Sequence, residues 1–226
     1  ELKTNTEIGK DLTLEDLRKQ GFNAIVLAVG AQIGRTLRIE GADLQGVNVG
    51  LDFLRSLKRG ETFRVGKNVL VIGGGNVAMD VARSALRNGA SEVHVACLES
   101  KHEMPAHPWE IEDALRDGVR IHNSVGPKRI LGANGAVSGL ECLAVKSVFD
   151  EKGRFNPTFY EGSEFTLPCD TLFVAIGQAS ELSLLQGQGV SVTRAGTVSA
   201  DPVTLQTDRP EIFAAGDVVS GPASVV

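Results

Sequence analysis

Three features of this sequence predict an α/β fold built on a parallel sheet. Apolar runs without alternation occur at residues 24–29, 68–72 and 170–176, and such runs suit strands covered on both faces. Amphipathic stretches at 13–19, 50–58, 76–88 and 108–116 separate them with helical spacing. Between residues 129 and 167 the pattern changes to alternation broken by turns, which predicts an antiparallel meander beside the parallel sheet. Composition agrees. The chain has 226 residues, 42% hydrophobic, 23% charged and 5% aromatic, which fits a globular protein with an aliphatic core and excludes a disordered or collagen-like chain. The length allows one large domain or two small ones.

The elements follow in order. Thr13 caps a short helix to Lys19, Glu15 and Asp16 suit its positive end, and Gly21 stops it. Residues 24–29 form a strand ending in Gly30. Residues 50–58 form a helix with Leu51, Phe53, Leu54 and Leu57 on one face, and the polar stretch 59–67 crosses into a new unit. Residues 68–72 are a buried strand, Gly73-Gly74-Gly75 follows at once, and 76–88 is a helix with Val77, Val81 and Ala85 at i, i+4 spacing. Gly89 ends it, and 92–97 is the next strand, completing a βαβ unit. A helix at 108–116 and a strand at 119–124 come next. The meander uses 129–131, 138–148 and 164–167, with turns at 132–135 and 151–153. Residues 170–176 make a strand ending in Gly177. A short helix at 181–187, a short strand at 196–199 and a strand at 212–215 precede Gly216-Asp217.

The pattern Gly73-x-Gly75-x-x-Ala78 has a physical purpose. The first glycine permits the tight strand-to-helix turn, and the second lets backbone N–H groups approach a pyrophosphate. The third position must be small for the helix to pack on the sheet. The strand before it and the helix after it supply the context that the motif requires. Gly73, Gly74, Gly75, Asn76, Val77 and Ala78 are therefore expected to form the phosphate cradle of a Rossmann-like NAD(P)-binding domain. Glu99, at the end of the next strand, is placed to accept hydrogen bonds from the adenosine ribose diol. A 2′-phosphate there would bring most of two negative charges beside the carboxylate. Repulsion between unit charges 4 Å apart is about 4 kcal/mol at an effective dielectric of 20. Glu99 thus favours NAD(H) over NADP(H), although Lys101 and His102 are near enough in sequence to swing toward a phosphate.

Other classes find little support. The net charge is −5, and no basic cluster with interleaved aromatics suggests nucleic acid. No apolar run approaches the ~20 residues of a membrane span. Cys97, Cys142 and Cys169 lack the spacing of a dithiol or metal site, which reads as buried, reduced cysteine and a cytoplasmic location. His94 and His122 lie on separate strands without a partner at metal-ligand spacing. His102 and His107, around Met104-Pro105, read as surface groups that could contact a cofactor ring. Asp80 reads as an acid favouring the helix dipole, and Trp109 as packing.

Beyond these local readings, AIVLAVGA (24–31), KNVLVIGGGNVAMDVARSALRNGASEVHVA (67–96), EMPA (103–106), DTLFVAIG (170–177) and TDRPEIFAAGDVVSGPASVV (207–226) resemble one flavoprotein family. It is the pyridine nucleotide-dependent family of the glutamate synthase small subunit, also found as the flavin and nicotinamide region of dihydropyrimidine dehydrogenase. The resemblance implies an NAD(P)H domain inserted into an FAD domain, with hydride passing from nicotinamide to flavin and electrons onward to an iron–sulfur domain or subunit. Ala175, Ile176 and Gly177 would flank the nicotinamide half. Gly216 and Asp217 would belong to the FAD site, the Asp217 carboxylate accepting from a ribitol hydroxyl. Residues 224–226 would begin a helix facing the flavin pyrimidine ring. The implied domains are 1–62 and 180–226 as parts of an FAD-binding domain and 63–179 as the NAD(P)H-binding domain. No catalytic side chain is expected, because hydride transfer is cofactor chemistry.

Two departures from that family matter. Many relatives place two arginines where this chain has Leu98 and Glu99, which strengthens the expectation of NAD(H). The FAD domain also needs its own N-terminal glycine motif, and this chain has only the one at Gly73. The chain is therefore expected to be an internal fragment, inactive alone, that lacks an N-terminal FAD-binding segment. Two rivals stand beside this reading: a nucleotide-binding scaffold or regulator without turnover, and a thioredoxin-reductase-like disulfide enzyme, which the missing dithiol opposes.

Overall fold

Thr13 opens the first helix as its sequence predicts. The Thr13 hydroxyl oxygen accepts from the Asp16 backbone N–H at 3.1 Å, and the Asp16 carboxylate accepts from the Thr13 backbone N–H at 3.0 Å, a reciprocal cap that satisfies two otherwise orphaned donors. In the computed structural model, which describes residues 1–223, this helix, α1 (Leu14–Lys19), precedes β1 (Ile25–Leu27), β2 (Ile33–Gly34), β3 (Val47–Val49) and α2 (Gly50–Lys58). Then come β4 (Asn68–Ile72), α3 (Asn76–Arg87), β5 (Glu92–Ala96), α4 (Pro108–Arg116) and β6 (Arg120–His122). The meander is β7 (Val125–Ala133), β8 (Ala136–Phe149), β9 (Phe155–Phe159) and β10 (Phe165–Pro168). The last elements among the described residues are β11 (Thr171–Val174), β12 (Gln178–Ala179), β13 (Ile212–Ala214) and α5 (Asp217–Ser220). Two compact units result: Gly34–Gly177, and Glu1–Ile33 together with the described residues from Gln178 onward.

The unit Gly34–Gly177 carries a five-stranded, wholly parallel sheet in the order β3-β11-β4-β5-β6. Alternate side chains of a strand point to opposite faces. Val69, Val71, Val93, Val95 and Phe173 therefore meet the helices α2, α3 and α4 on one face. Leu70, Ile72, Leu172 and Val174 meet the meander on the other, against Ile130, Val137, Leu140 and Leu167. This double cover explains why β4 and β11 read as unbroken apolar runs. The helix side is centred on a ring cluster, with Phe53 and Phe173 stacked at 4.6 Å and Phe63 edge-on to Phe53 at 5.0 Å. In the meander, β8 pairs antiparallel with β7, β9 and β10. Gly126 lets the Phe159 ring lie against β7, since a Cβ there would fall 2.2 Å from the ring.

The other unit packs Leu14, Ile25, Leu27, Leu185, Ile212, Ala214 and Val218 into a separate core. Its β1 and β13 run parallel. β1 departs from the expectation of a strand covered on both faces: Ile25 and Leu27 are buried, but Val26 is 64% exposed. With a single partner strand and one core beneath it, only one face of β1 is covered among the described residues.

Packing also divides the chain differently from the expected boundary near residue 62. Residues 34–62 belong to the second unit, because β3 joins its sheet beside β11 and α2 packs on the core of α3. The stretch 59–67 is part of that unit too, with Phe63 and Val65 packed on its core. Four strands, β2, β3, β9 and β12, had no counterpart in the sequence reading. Residues 196–199 form no strand, only a single bridge between Val192 and Val198. The short helix expected at 181–187 is a 3₁₀ turn at Ser183–Leu185.

Phe173 tests the double-sided sheet. Truncating a fully buried aromatic costs about 3–5 kcal/mol. Phe173→Ala, followed by urea denaturation, should lower unfolding stability by that order, while the exposed Phe155→Ala should change it little.

Candidate functional site

The C-terminal ends of β4, β5 and β11 meet at one turn. After Ile72 the Gly73 backbone N–H donates to the Ala96 carbonyl at 2.9 Å, and the Ala175 N–H donates to the Ile72 carbonyl at 2.8 Å. Gly73 has φ +142°, and a Cβ on it would lie 2.2 Å from the Ala175 carbonyl oxygen. Only glycine fits there. Ala78 is fully buried, 3.5 Å from that Cβ position, so a larger residue would push α3 off β4. Gly75 is the N-cap of α3, and a Cβ on it would meet nothing within 4 Å. The turn's backbone thus faces open space in front of the helix. No side chain caps α3 and no acid lies in its first turn, so its positive end carries no protein anion, which is the condition for holding a phosphate.

The two sides of this turn differ. Toward β11, Gly73 touches Ala175, which is buried, while Ile176 is 37% exposed and Gly177 has φ +112°. Toward β5, a Cβ on Gly74 would lie 2.7 Å from Glu99 Oε2. The Glu99 carboxylate therefore stands at the middle glycine, held from behind by its own backbone. Its carbonyl accepts from the Ser124 N–H at 3.0 Å and from Asn123 Nδ2 at 3.3 Å. Gly73 to Ala78, Glu99 and Ala175 to Gly177 are thus brought together in one unit. Gly216 (φ +76°) and Asp217 lie in the other unit, at the start of α5, with the Asp217 carboxylate near the Ala223 N–H at 3.4 Å. Residues 224–226, expected to begin a flavin-facing helix, lie outside the described residues.

The loop before α4 is tied to the same turn. The Ala106 N–H donates to the Gly74 carbonyl at 3.0 Å, and the His107 N–H donates to Asn76 Oδ1 at 2.8 Å. Asn76 thus holds this loop with its side chain, a contact that its motif position did not reveal. α4 is in turn clamped to α3 by Arg83, whose guanidinium lies 3.5 Å from Glu110, 3.2 Å from Asp113 and 2.7 Å from Asp117. The Arg83 hydrogen bond holds the Asp117 carboxyl below its usual range. Glu110 and Asp113 on α4 and Asp117 at its C-cap share one face, which is the sequence signal that a basic partner on α3 was to be sought.

Two side chains differ from their sequence readings, and two histidines make a contact that the sequence did not reveal. Trp109 is 60% exposed rather than packed in the core. Asp80 is the fifth residue of α3, beyond the first turn. Partial burial, then the charge of Glu110, pushes its pKa up. His94 and His122, far apart in sequence, are partners: His94 Nδ1 and His122 Nε2 are 2.7 Å apart. With ring centroids 5.0 Å apart and planes within 9°, the rings lie end to end and share one hydrogen bond between β5 and β6. Glu92 is 3.6 Å from the other nitrogen of His94. Burial, then His94 and Arg120, lowers the His122 pKa. Cys97, Cys142 and Cys169 are free and buried, and burial pushes each thiol up to about 12. They are protonated at neutral pH and not the reactive thiolates of a redox site. Among the described residues no cluster of three or more His, Cys, Asp or Glu could hold a metal, and no helix is long and apolar enough to cross a membrane.

Comparison with known proteins adds to this geometry. The profile of the pyridine nucleotide-disulphide oxidoreductase family matches residues 2–226. The chain is 42% identical over 229 residues to the NADP(+)-dependent formate dehydrogenase subunit beta of Moorella thermoacetica, covering 100% of this chain and 32% of that protein. It is 32% identical over 237 residues to the glutamate synthase [NADPH] small chain of Azospirillum brasilense, covering 98% and 49%. The chain therefore spans about a fifth to a half of the curated relatives it matches. Among solved structures, FprA of Mycobacterium tuberculosis in complex with NADPH superposes with a TM-score of 0.78 at 20% identity, over 98% of this chain and 63% of that one.

Gly73→Ala should destabilise the protein by at least the ~1–3 kcal/mol of a strained backbone, read as a lower thermal midpoint, whereas Gly75→Ala, facing open space, should not. The histidine pair predicts a pH effect. Because the folded His122 resists a proton that the unfolded chain accepts, stability is present above the unfolded histidine pKa of about 6.5 and falls as pH drops through the lower folded value. Thermal melts from pH 8 to 5 should show this loss, and His122→Gln should flatten it.

Proposed function

The chain belongs to the pyridine nucleotide-disulphide oxidoreductase family, and from that premise we propose that it is the nucleotide-binding core of an NAD(P)H:flavin oxidoreductase. One observation carries the reading. An open glycine turn fronts the uncapped end of α3, with Glu99 on one side and the Ala175–Gly177 strand end on the other. A dinucleotide laid along these strand ends would place its pyrophosphate on Gly73 to Val77, with Ala78 keeping α3 close to the sheet. Its adenosine ribose would reach Glu99, and its nicotinamide would lie past Ala175, Ile176 and Gly177. The nicotinamide supplies the hydride and a flavin receives it. The residues' part is to bind and align, so no side chain is assigned as acid or base.

For the flavin, Gly216 offers a backbone with open space where a Cβ would be, and the Asp217 carboxylate follows it. These two fit the ribitol side of an FAD site, in a domain formed by 1–33 and the segment from 178 onward. The nucleotide domain is then 34–177, rather than 63–179. Relatives named as beta subunits and small chains support a place in a larger assembly, and we propose that the electrons leave the flavin for an iron–sulfur domain or subunit. The three buried free cysteines suit a reducing, cytoplasmic setting.

The nucleotide preference is proposed as NAD(H). It rests on Glu99, whose carboxylate stands where a 2′-phosphate would repel it. The relatives' names point the other way, to NADP(H). The rival reading as a scaffold without turnover rests on the same glycine turn and differs in having no flavin.

Calorimetric titration of the purified protein with NADH and NADPH decides the preference. Tighter NADH binding is expected, and Glu99→Arg should reverse the order. Tighter NADPH binding by the unaltered protein would sink the argument from Glu99. A yellow, flavin-bearing intact protein is expected. A colourless one that FAD cannot reconstitute would favour the scaffold.

A further inference from the structure

Trp109 is a large apolar ring left 60% exposed, two residues beyond a loop tied to the glycine turn. The protein anchors it unusually firmly for a surface side chain. Met104 and Ala106, just before it, are buried in the core of the unit. The Ala106 N–H is held by the Gly74 carbonyl and the His107 N–H by Asn76. Pro108 occupies the first turn of α4, where its fixed φ suits the helix. One residue beyond Trp109, Glu110 enters the Arg83 clamp. The His107 ring stacks on the indole, centroids 4.3 Å apart and planes within 13°. One face is thus backed by an imidazole, and much of the remaining surface is open.

Position selects what this platform can take. Gly73 contacts Ala175, on the side given above to nicotinamide. Gly74 contacts both Glu99 and the loop leading to Trp109. The platform and Glu99 therefore belong to the same, adenosine, side of the turn. A ribose held by Glu99 carries a purine, and a purine offers a flat π-face for which an exposed indole is a suitable partner. We infer that Trp109, backed by His107, is the stacking platform for the adenine ring of the dinucleotide. This rests on the proposed nucleotide site and deepens it by assigning the base subsite.

The test uses ADP-ribose, which keeps the adenosine half and lacks nicotinamide. Energy transfer from indole to reduced nicotinamide then cannot imitate a contact. Calorimetry should show ADP-ribose binding, and the Trp109 emission, taken as the difference between the unaltered protein and W109F, should be quenched on its addition. Nicotinamide mononucleotide should leave that emission unchanged. W109A should weaken ADP-ribose and NADH roughly tenfold, and W109F, which keeps a ring, should recover most of the loss. If ADP-ribose binds by calorimetry but W109A binds it equally well and the emission does not move, the platform is wrong and the nucleotide site stands. If neither NADH, NADPH nor ADP-ribose binds the unaltered protein, the nucleotide site fails and the platform with it.

Discussion

The carbonyl oxygen of Ala175 occupies the place where a side chain on residue 73 would begin. The two strand ends are held together there by backbone alone: Ile72 accepts from Ala175, and Gly73 donates to Ala96. Three parallel strands are thereby brought level at their C-terminal ends, with α3 starting immediately in front of them. Where strands end together and a helix begins, the unpaired N–H groups of the helix face outward. The rest of the site is arranged around that edge.

Charge divides the edge into unlike halves. The start of α3 has neither a capping side chain nor an acid in its first turn, so its field is left for a ligand. Glu99 stands immediately to one side, and the apolar Ile176 to the other. An acid thus stands at one end of the edge and a less polar bed at the other. The contact that fixes the sheet ends also gives the site its direction.

Supports for this edge come from both faces of the sheet. On the helix face, Arg83 joins α3 to two carboxylates of α4 and to Asp117 at its C-cap, and so holds the loop that is tied to Gly74 and Asn76. On the other face, the meander buries Leu70 and Ile72 of β4, and the link between β6 and β7 passes behind Glu99 through Asn123 and Ser124. The His94–His122 bond closes β5 to β6 in the strand that leads to Glu99. That tie depends on protonation, because two imidazolium rings could not share it. The edge is thus held by backbone and apolar contacts, and is sensitive to protons at one point behind it.

Much of this was legible in the sequence. The βαβ unit, both glycines of the turn, the small residue at Ala78 and the acid at Glu99 follow from short-range rules, since a tight turn, a helix start and a strand end are each set by a few adjacent residues. β9 was not legible because Asn156 and Pro157 break a strand pattern, and β3 because it owes its conformation to β11, distant in sequence. The boundary at Ile33/Gly34 was hidden for the same reason: it depends on β3 pairing with β11, across more than 120 residues of chain. The partnership of His94 with His122 and the clamp at Arg83 likewise depend on parallel strands and adjacent helices set side by side. The exposure of Trp109 could not be read either, since a ring at a helix start has the same local pattern whether it faces core or solvent. The sequence by itself determined the turn and the residue types around it. The tertiary structure decided which of them share an edge, because contacts between parallel strands are never local in the chain.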